Sequence, residues 1–200
     1  MNDTAYRIQQ TALKLFTDYG FEGTSLSDIA KEVGIKTPSI YAHYSSKEQL
    51  FLRLVEDVIV EEREKWMTHT DSLRTEPTEQ LNAKRQLRRL FDFYTDFAGM
   101  SIGQAFLKRV MLAPPRGLEE RLRQHILQYE EKITDDLHKL LRAVSEETGA
   151  PPVDLNRQVA VIYALIDGLL VEVQLYDAKT HRQRVEAVWE WLWNGIMRGD

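Results

Sequence analysis

The stretch Thr24 to Leu50, TSLSDIAKEVGIKTPSIYAHYSSKEQL, restricts the fold more than any other part of the chain. Two short helices that cross steeply need a small residue where they touch, a glycine at the turn and apolar anchors that seat the second helix. Ala30, then Gly34 four residues later, then Ile35 and Ile40, meet these needs at the required spacing. Ser25 to Asp28 reads as a capping box with Asp in place of the usual Glu, and Gly34 as a helix stop. Thr37 can cap the next helix, with Pro38 at its first position, where a missing N–H costs nothing. That helix is predicted to be short, over residues 38–44. Ser45 to Glu48 offers another capping box, opening a long helix over residues 47–70.

Helical periodicity dominates the rest, and no convincing strand appears. A first helix over residues 4–19 carries Ile8, Ala12, Leu15, Phe16 and Tyr19 in one apolar stripe closed by Gly20. Polar residues 71–78, with Pro77, predict a linker. Further helices are expected over residues 79–98, 102–112, 118–147, 154–176 and 182–197. The prediction is an all-α protein of about nine helices: a three-helix head over residues 1–48, with its motif at about 26–45, and a helical body over 49–200. The longest nearly uncharged run, Val159 to Val171, is short of the roughly 20 residues a membrane span needs. It reads as a helix buried within the protein. The N-terminus has no apolar signal core, cysteine is absent, and the expected compartment is the cytoplasm.

Steeply crossed helices of this kind expose the second one. Here it projects Lys36, Thr37, Ser39, Tyr41, Ala42 and His43, donors and small groups suited to phosphates and base edges. Lys47 opens the following helix, where free N–H groups can hold a phosphate. Charge does not favour this reading. The chain carries a net −5, and its first fifty residues hold five Lys/Arg against six acids. A DNA-binding role therefore rests on where charges sit, not on how many there are.

Residues 7–51 resemble the DNA-binding head of the tetracycline-repressor-like (TetR) family. The match runs through Arg7-Ile8, Ala12, Leu15-Phe16, Gly20-Phe21, Thr24, Asp28-Ile29-Ala30, Val33-Gly34-Ile35, Ile40-Tyr41, His43-Tyr44 and Lys47-Glu48-Gln49-Leu50. The resemblance implies an all-α homodimer that binds double-stranded operator DNA, usually as a repressor released by a small-molecule effector. It implies that Lys36, Thr37, Ser39, Tyr41, Ala42, His43 and Lys47 line the DNA side, and that Tyr44 is a core aromatic. Pro38 stands where the family often has glycine, so a DNA contact made by that backbone N–H is lost here.

Residues beyond about 75 carry no comparable motif. Phe93, Tyr94, Phe97, Phe106, Met111 and Tyr129 either line an apolar effector pocket for an apolar or aromatic molecule or pack as ordinary core. His125 either meets a ligand or is a hydrogen-bonded core histidine. Asp167 interrupts an apolar helix and, if buried, needs a partner: an effector, a basic side chain or a second subunit. The last helix is apolar around much of its circumference, with Val188, Trp189, Leu192 and Trp193 on one stripe and Trp191 nearly opposite. Together with Leu169 and Val173 these predict a two-fold contact between copies. No histidine pair has the spacing of a helical metal site, and no glycine-rich phosphate loop or nucleophile elbow occurs, so neither an enzyme, a cofactor nor a metal is expected. The competing class is a helical scaffold whose head has lost DNA binding.

Overall fold

The computed structural model describes residues 3–74, 82–97, 99–151 and 154–199. Among them lie nine α-helices and no strand: α1 (Asp3–Tyr19), α2 (Leu26–Val33), α3 (Thr37–Tyr41), α4 (Lys47–Arg74), α5 (Ala83–Thr95), α6 (Ile102–Leu112), α7 (Glu119–Thr148), α8 (Leu155–Glu172) and α9 (Ala178–Arg198). The expected order of elements is reproduced, with shifts at the ends. α4 continues through residues 71–74, where a linker was expected, and the remainder of that linker lies outside the described residues. α5 begins four residues later than the expected 79, because Asn82 caps it by accepting from the Arg85 N–H. α9 begins at Ala178, earlier than expected, because Asp177 accepts from the N–H groups of Lys179 and Thr180.

The chain forms two compact units, Met1–His69 with Met100–Tyr129, and Thr70–Gly99 with Glu130–Asp200. The unit that holds α1–α3 is thus larger than residues 1–48. Its centre is aromatic. The Phe51 ring lies 5.1 Å from Phe16, 5.0 Å from Phe21 and 5.2 Å from Phe106, each edge-on. Such edge-to-face pairs add stability beyond the area they bury. Ile8, Ala12, Ile29, Ile40, Leu50, Val55, Val110 and Leu122 close the same core. Phe106, expected at an effector pocket, is therefore fully buried packing for this unit. Met111, expected there too, is exposed.

The second unit packs α5, α8 and α9 against one another. Phe91 meets Trp189 at 5.5 Å, and Trp189 stacks on Trp193 at 6.2 Å. Arg88 lies over Trp189 while its guanidinium forks onto Glu186 and its Nε donates to Asp92 at 2.8 Å. Pairing with Glu186 first, and with Asp92, raises the Arg88 pKa and keeps the cation firmly charged. The last helix stripe thus faces its own chain, and Leu169, Trp189 and Leu192 are core residues here rather than surface for a second copy. The run Val159 to Val171 is also corrected. It buries Val159, Ile162, Leu169 and Leu170 but exposes Ala160, Ala164, Asp167, Gly168 and Val171, since an α-helix packed on one side shows the other to solvent. Asp167 is consequently exposed. Burial, and then the Asp167 charge, pushes the Glu130 carboxyl above its usual range.

Because Phe51 touches three other rings, Phe51→Ala should remove about 3–5 kcal/mol of stability, the usual cost of emptying a buried aromatic site. Urea unfolding followed by circular dichroism would read this as a lower midpoint.

Candidate nucleic-acid interface

α2 is fixed at both ends by its own sequence. Ser25 Oγ accepts from the Asp28 N–H at 3.1 Å, and the Asp28 carboxylate accepts from the Ser25 N–H at 2.9 Å and hydroxyl at 2.6 Å. The capping box predicted there is present. These bonds hold the Asp28 carboxyl below its usual range. At the other end Gly34 sits at φ +79°, and the Ile35 N–H reaches back to the Ala30 carbonyl at 2.9 Å. This left-handed cap needs glycine and turns the chain sharply into α3.

α3 is shorter than predicted and starts one residue earlier. Lys36 occupies the N-cap position without a side-chain cap, so Thr37 is helical and Pro38 follows it. The helix ends at Tyr41, and the His43 and Tyr44 N–H groups both return to the Ile40 carbonyl at 2.9 Å. Ile40 is the buried anchor of the helix, with Tyr44 buried just beyond it. Everything else turns outward: Lys36, Pro38, Ser39, Tyr41 and Ala42 are exposed, and Thr37 and His43 are half-buried. Tyr41 shows 56% of its surface. α3 and the residues just outside it therefore expose a cation, hydroxyls, an imidazole and a phenol around one buried anchor.

The box before α4 is displaced by one residue from the expected one. Ser46, not Ser45, accepts from the Gln49 N–H at 3.1 Å, and Gln49 rather than Glu48 reaches back to the Ser45 N–H. Lys47 is held differently from its neighbours in sequence. Its Nζ donates to the carbonyls of Phe21 at 2.8 Å and Thr24 at 3.0 Å, and lies 4.1 Å from the Phe21 ring centroid. Lys47 thus braces the α1–α2 turn. Thr24 braces it from within: it is buried, and its hydroxyl lies 2.9 Å from the Gly20 carbonyl and 3.1 Å from that of Leu15. Arg7 donates to the Val33 carbonyl at the end of α2. Sequence reasoning assigned no such bracing, because a lysine that satisfies carbonyls reads the same as one that meets phosphate.

The residues expected at an effector pocket are divided between the two units. Phe106, Met111, His125 and Tyr129 belong to one, and Phe93, Tyr94, Phe97 and Asp167 to the other. His125 Nε2 lies 3.6 Å from Glu56. The Phe97 ring meets His181, whose Nε2 lies 3.0 Å from the Leu169 carbonyl. Among the described residues no cluster of side chains has the make-up of a metal site, and no helix is long and apolar enough to cross a membrane.

Fold and exposed α3 together define an all-α helix-turn-helix protein. Residues 8–54 match the family model described as bacterial regulatory proteins, tetR family. The uncharacterized HTH-type transcriptional regulator YerO of Bacillus subtilis is 31% identical over 142 residues, which is 71% of this chain and 45% of YerO. The biofilm operon negative transcriptional regulator IcaR of Staphylococcus epidermidis is 43% identical over 51 residues, 26% of this chain and 28% of IcaR. The chain thus spans less than half the length of these curated relatives. The transcriptional regulator FadR from Bacillus subtilis, solved in complex with stearoyl-CoA, shares the fold with a TM-score of 0.67 at 18% identity, covering 98% of this chain and 99% of that one. Residues 8–54 thus carry the N-terminal segment that the TetR-family model describes.

Two measurements follow from this local geometry. Gly34→Ala meets no atom within 4 Å, so its cost should be the backbone strain of φ +79° alone, about 1 kcal/mol. Urea denaturation would show it. Asp28 has a depressed folded pKa, so its contribution is present above the ordinary carboxylate pKa of about 4 and is lost as pH falls through the folded value. Asp28→Ala should lower Tm at neutral pH, and the gap to wild type should close under acid conditions in parallel thermal melts.

Proposed function

We propose that this chain is a sequence-specific DNA-binding transcriptional regulator, acting as a repressor that a small-molecule effector releases from its operator. The observation that carries the reading is the outward face of α3, where Lys36, Thr37, Pro38, Ser39, Tyr41, Ala42 and His43 surround one buried anchor, Ile40. A recognition helix reads base edges with its N-terminal residues and takes register from phosphates. In this reading residues 1–48 are the reading head and 49–200 the effector-binding and dimerisation part. Lys47 serves by fixing the turn that carries α2, and presents its remaining donor capacity towards the backbone of the duplex. The names of the relatives support repression and ligand control: IcaR is a negative regulator, and the FadR structure holds an acyl-CoA. An apolar or aromatic effector is in keeping with Phe93, Tyr94 and Phe97 of the second unit. Such a protein works where the chromosome is, in the cytoplasm.

A homodimer belongs to the same proposal, since one five-residue recognition helix spans too few bases for a unique site. In this proposal its face is the exposed side of α8 and α9 with the turn between them: Val171, Leu175 and Trp191, with half-buried Val173, Val188 and Trp193 at its edge. Trp191 shows 63% of its surface and borders a groove of about 350 Å³ with Arg157, Asn194 and Arg198.

Selection from random duplex DNA should return a roughly palindromic consensus. Tyr41→Ala with His43→Ala should weaken binding to it by at least about 2 kcal/mol, on the scale of one to two base contacts, with an unchanged melting temperature. Full affinity in that variant, or no recovered consensus, would remove the DNA-reading role and favour a scaffold. Trp191→Glu should turn the dimer into a monomer in analytical ultracentrifugation and weaken operator binding with it.

A further inference from the structure

α1 ends on a left-handed Gly20 but supplies no cation of its own to its C-terminus. It carries no basic residue in its last turn, although the last carbonyls of a helix lack intrahelical partners and the C-terminal dipole attracts a cation. The cation comes from α6. Arg109 Nη1 donates to the Thr17 carbonyl at 3.1 Å, across 92 residues of sequence. The guanidinium lies over Gly20, the left-handed residue that closes α1, so closely that a Cβ there would stand 2.9 Å from Nη2. Just beyond α6, the Arg116 N–H donates to Glu22 at 3.2 Å, on the same turn. The other end of α6 is anchored as well: the Ser101 hydroxyl meets the buried Glu62 carboxylate of α4 at 2.8 Å. A helix pinned at one end to α4 by Glu62 thus holds, at the other, the turn that sets the position of α2 and α3. The aromatic core already joins them, with Phe106 of α6 against Phe51. That apolar contact fixes distance more firmly than rotation, whereas the hydrogen bond from the guanidinium to the Thr17 carbonyl has a preferred direction and so restrains orientation.

We propose that Arg109 is a positioning residue for DNA reading: from α6 it locks the C-terminus of α1 and the Gly20–Thr24 turn, and so sets the pose of the recognition helix. This rests on the DNA-reading function proposed above. Arg109 touches no DNA in this scheme. It raises the ratio of specific to non-specific affinity without adding a phosphate contact, so its loss weakens the consensus duplex and leaves the salt slope unchanged.

The test uses the full chain, the duplex recovered by selection and a scrambled duplex of equal length, each titrated at two salt concentrations. Amide hydrogen exchange of residues 20–24 is followed without DNA. Arg109→Gln should bind the consensus on the order of tenfold more weakly, as expected for losing one charge-assisted hydrogen bond. Scrambled binding and the salt slope should hold, and exchange in the turn should quicken. Arg109→Lys, which keeps the charge and one donor, should recover most of the loss. Gly20→Ala, which displaces the guanidinium and also strains a left-handed φ of +78°, should weaken the consensus at least as much, and adding Arg109→Gln to it should cost little more. Equal losses on both duplexes with a slope changed by about 1 would make Arg109 a phosphate contact and overturn the proposal. Unchanged specific affinity would overturn it too, whatever the exchange shows. If the wild type selects no consensus, the DNA reading itself fails. The bracing role then stands or falls on the exchange of residues 20–24, and unchanged exchange in Arg109→Gln ends it.

Discussion

The contact on which the helix-turn-helix depends is the edge-on meeting of Phe51 with Phe16, Phe21 and Phe106. α1, α2 and α3 alone bury little: α3 has one buried residue and α2 four. A unit so small has too much surface for its volume to be stable by itself. Phe51, on the first turns of α4, supplies the missing core, and α6 closes it with Phe106, Leu107 and Val110. The geometry of α2 and α3 is therefore a property of a unit that takes in Met100–Tyr129. It is not a property of the first fifty residues.

On this apolar base a few polar groups fix orientation. Thr24, Lys47, Arg7 and Arg109 all donate to backbone carbonyls at helix ends or turns. Each answers the same physical need, since helix C-termini and tight turns leave acceptors that the chain cannot satisfy locally. The bonds converge on two places, the Gly20–Thr24 turn and the end of α2. Those are the points where a small rotation would swing α3 most.

Much of this was legible in the sequence because it is local. The Ser25–Asp28 box, the Gly34 turn and the Ile40 anchor are short-range patterns with one structural solution. Structure and expectation part where competing helix starts lie one residue apart: Ser46 caps α4 although Ser45 could also cap, and α3 starts at Thr37 behind an uncapped Lys36 instead of being capped by Thr37. The body was harder to read for a different reason. α8 and α9 are apolar on more than one side, and periodicity alone does not say which side meets the chain's own core. Trp189 and Trp191 are two residues apart on α9, so they lie on opposed sides, and only the packing of Phe91 against Trp189 settles which turns inward. Asp167 looked like a buried charge because its neighbours in sequence are apolar. In space it lies on the solvent side of α8.

The acidic balance of the chain loses its force once the cations are placed. Of the five Lys and Arg among the first fifty residues, Arg7 and Lys47 donate to carbonyls of the head itself, so a count of charges says little about the surface that would face DNA. What that face offers is Lys36 with hydroxyl, phenol and imidazole groups, and these are chiefly groups that discriminate base edges and orient on phosphates rather than groups that attract a polyanion from afar. Under the proposed function, long-range attraction is then a weak contributor and pose a strong one. Short-range donors tolerate little misplacement, because a hydrogen bond weakens steeply with angle. A reading surface poor in charge must be rich in rigidity, and the carbonyl-bound cations of this head are where that rigidity is built.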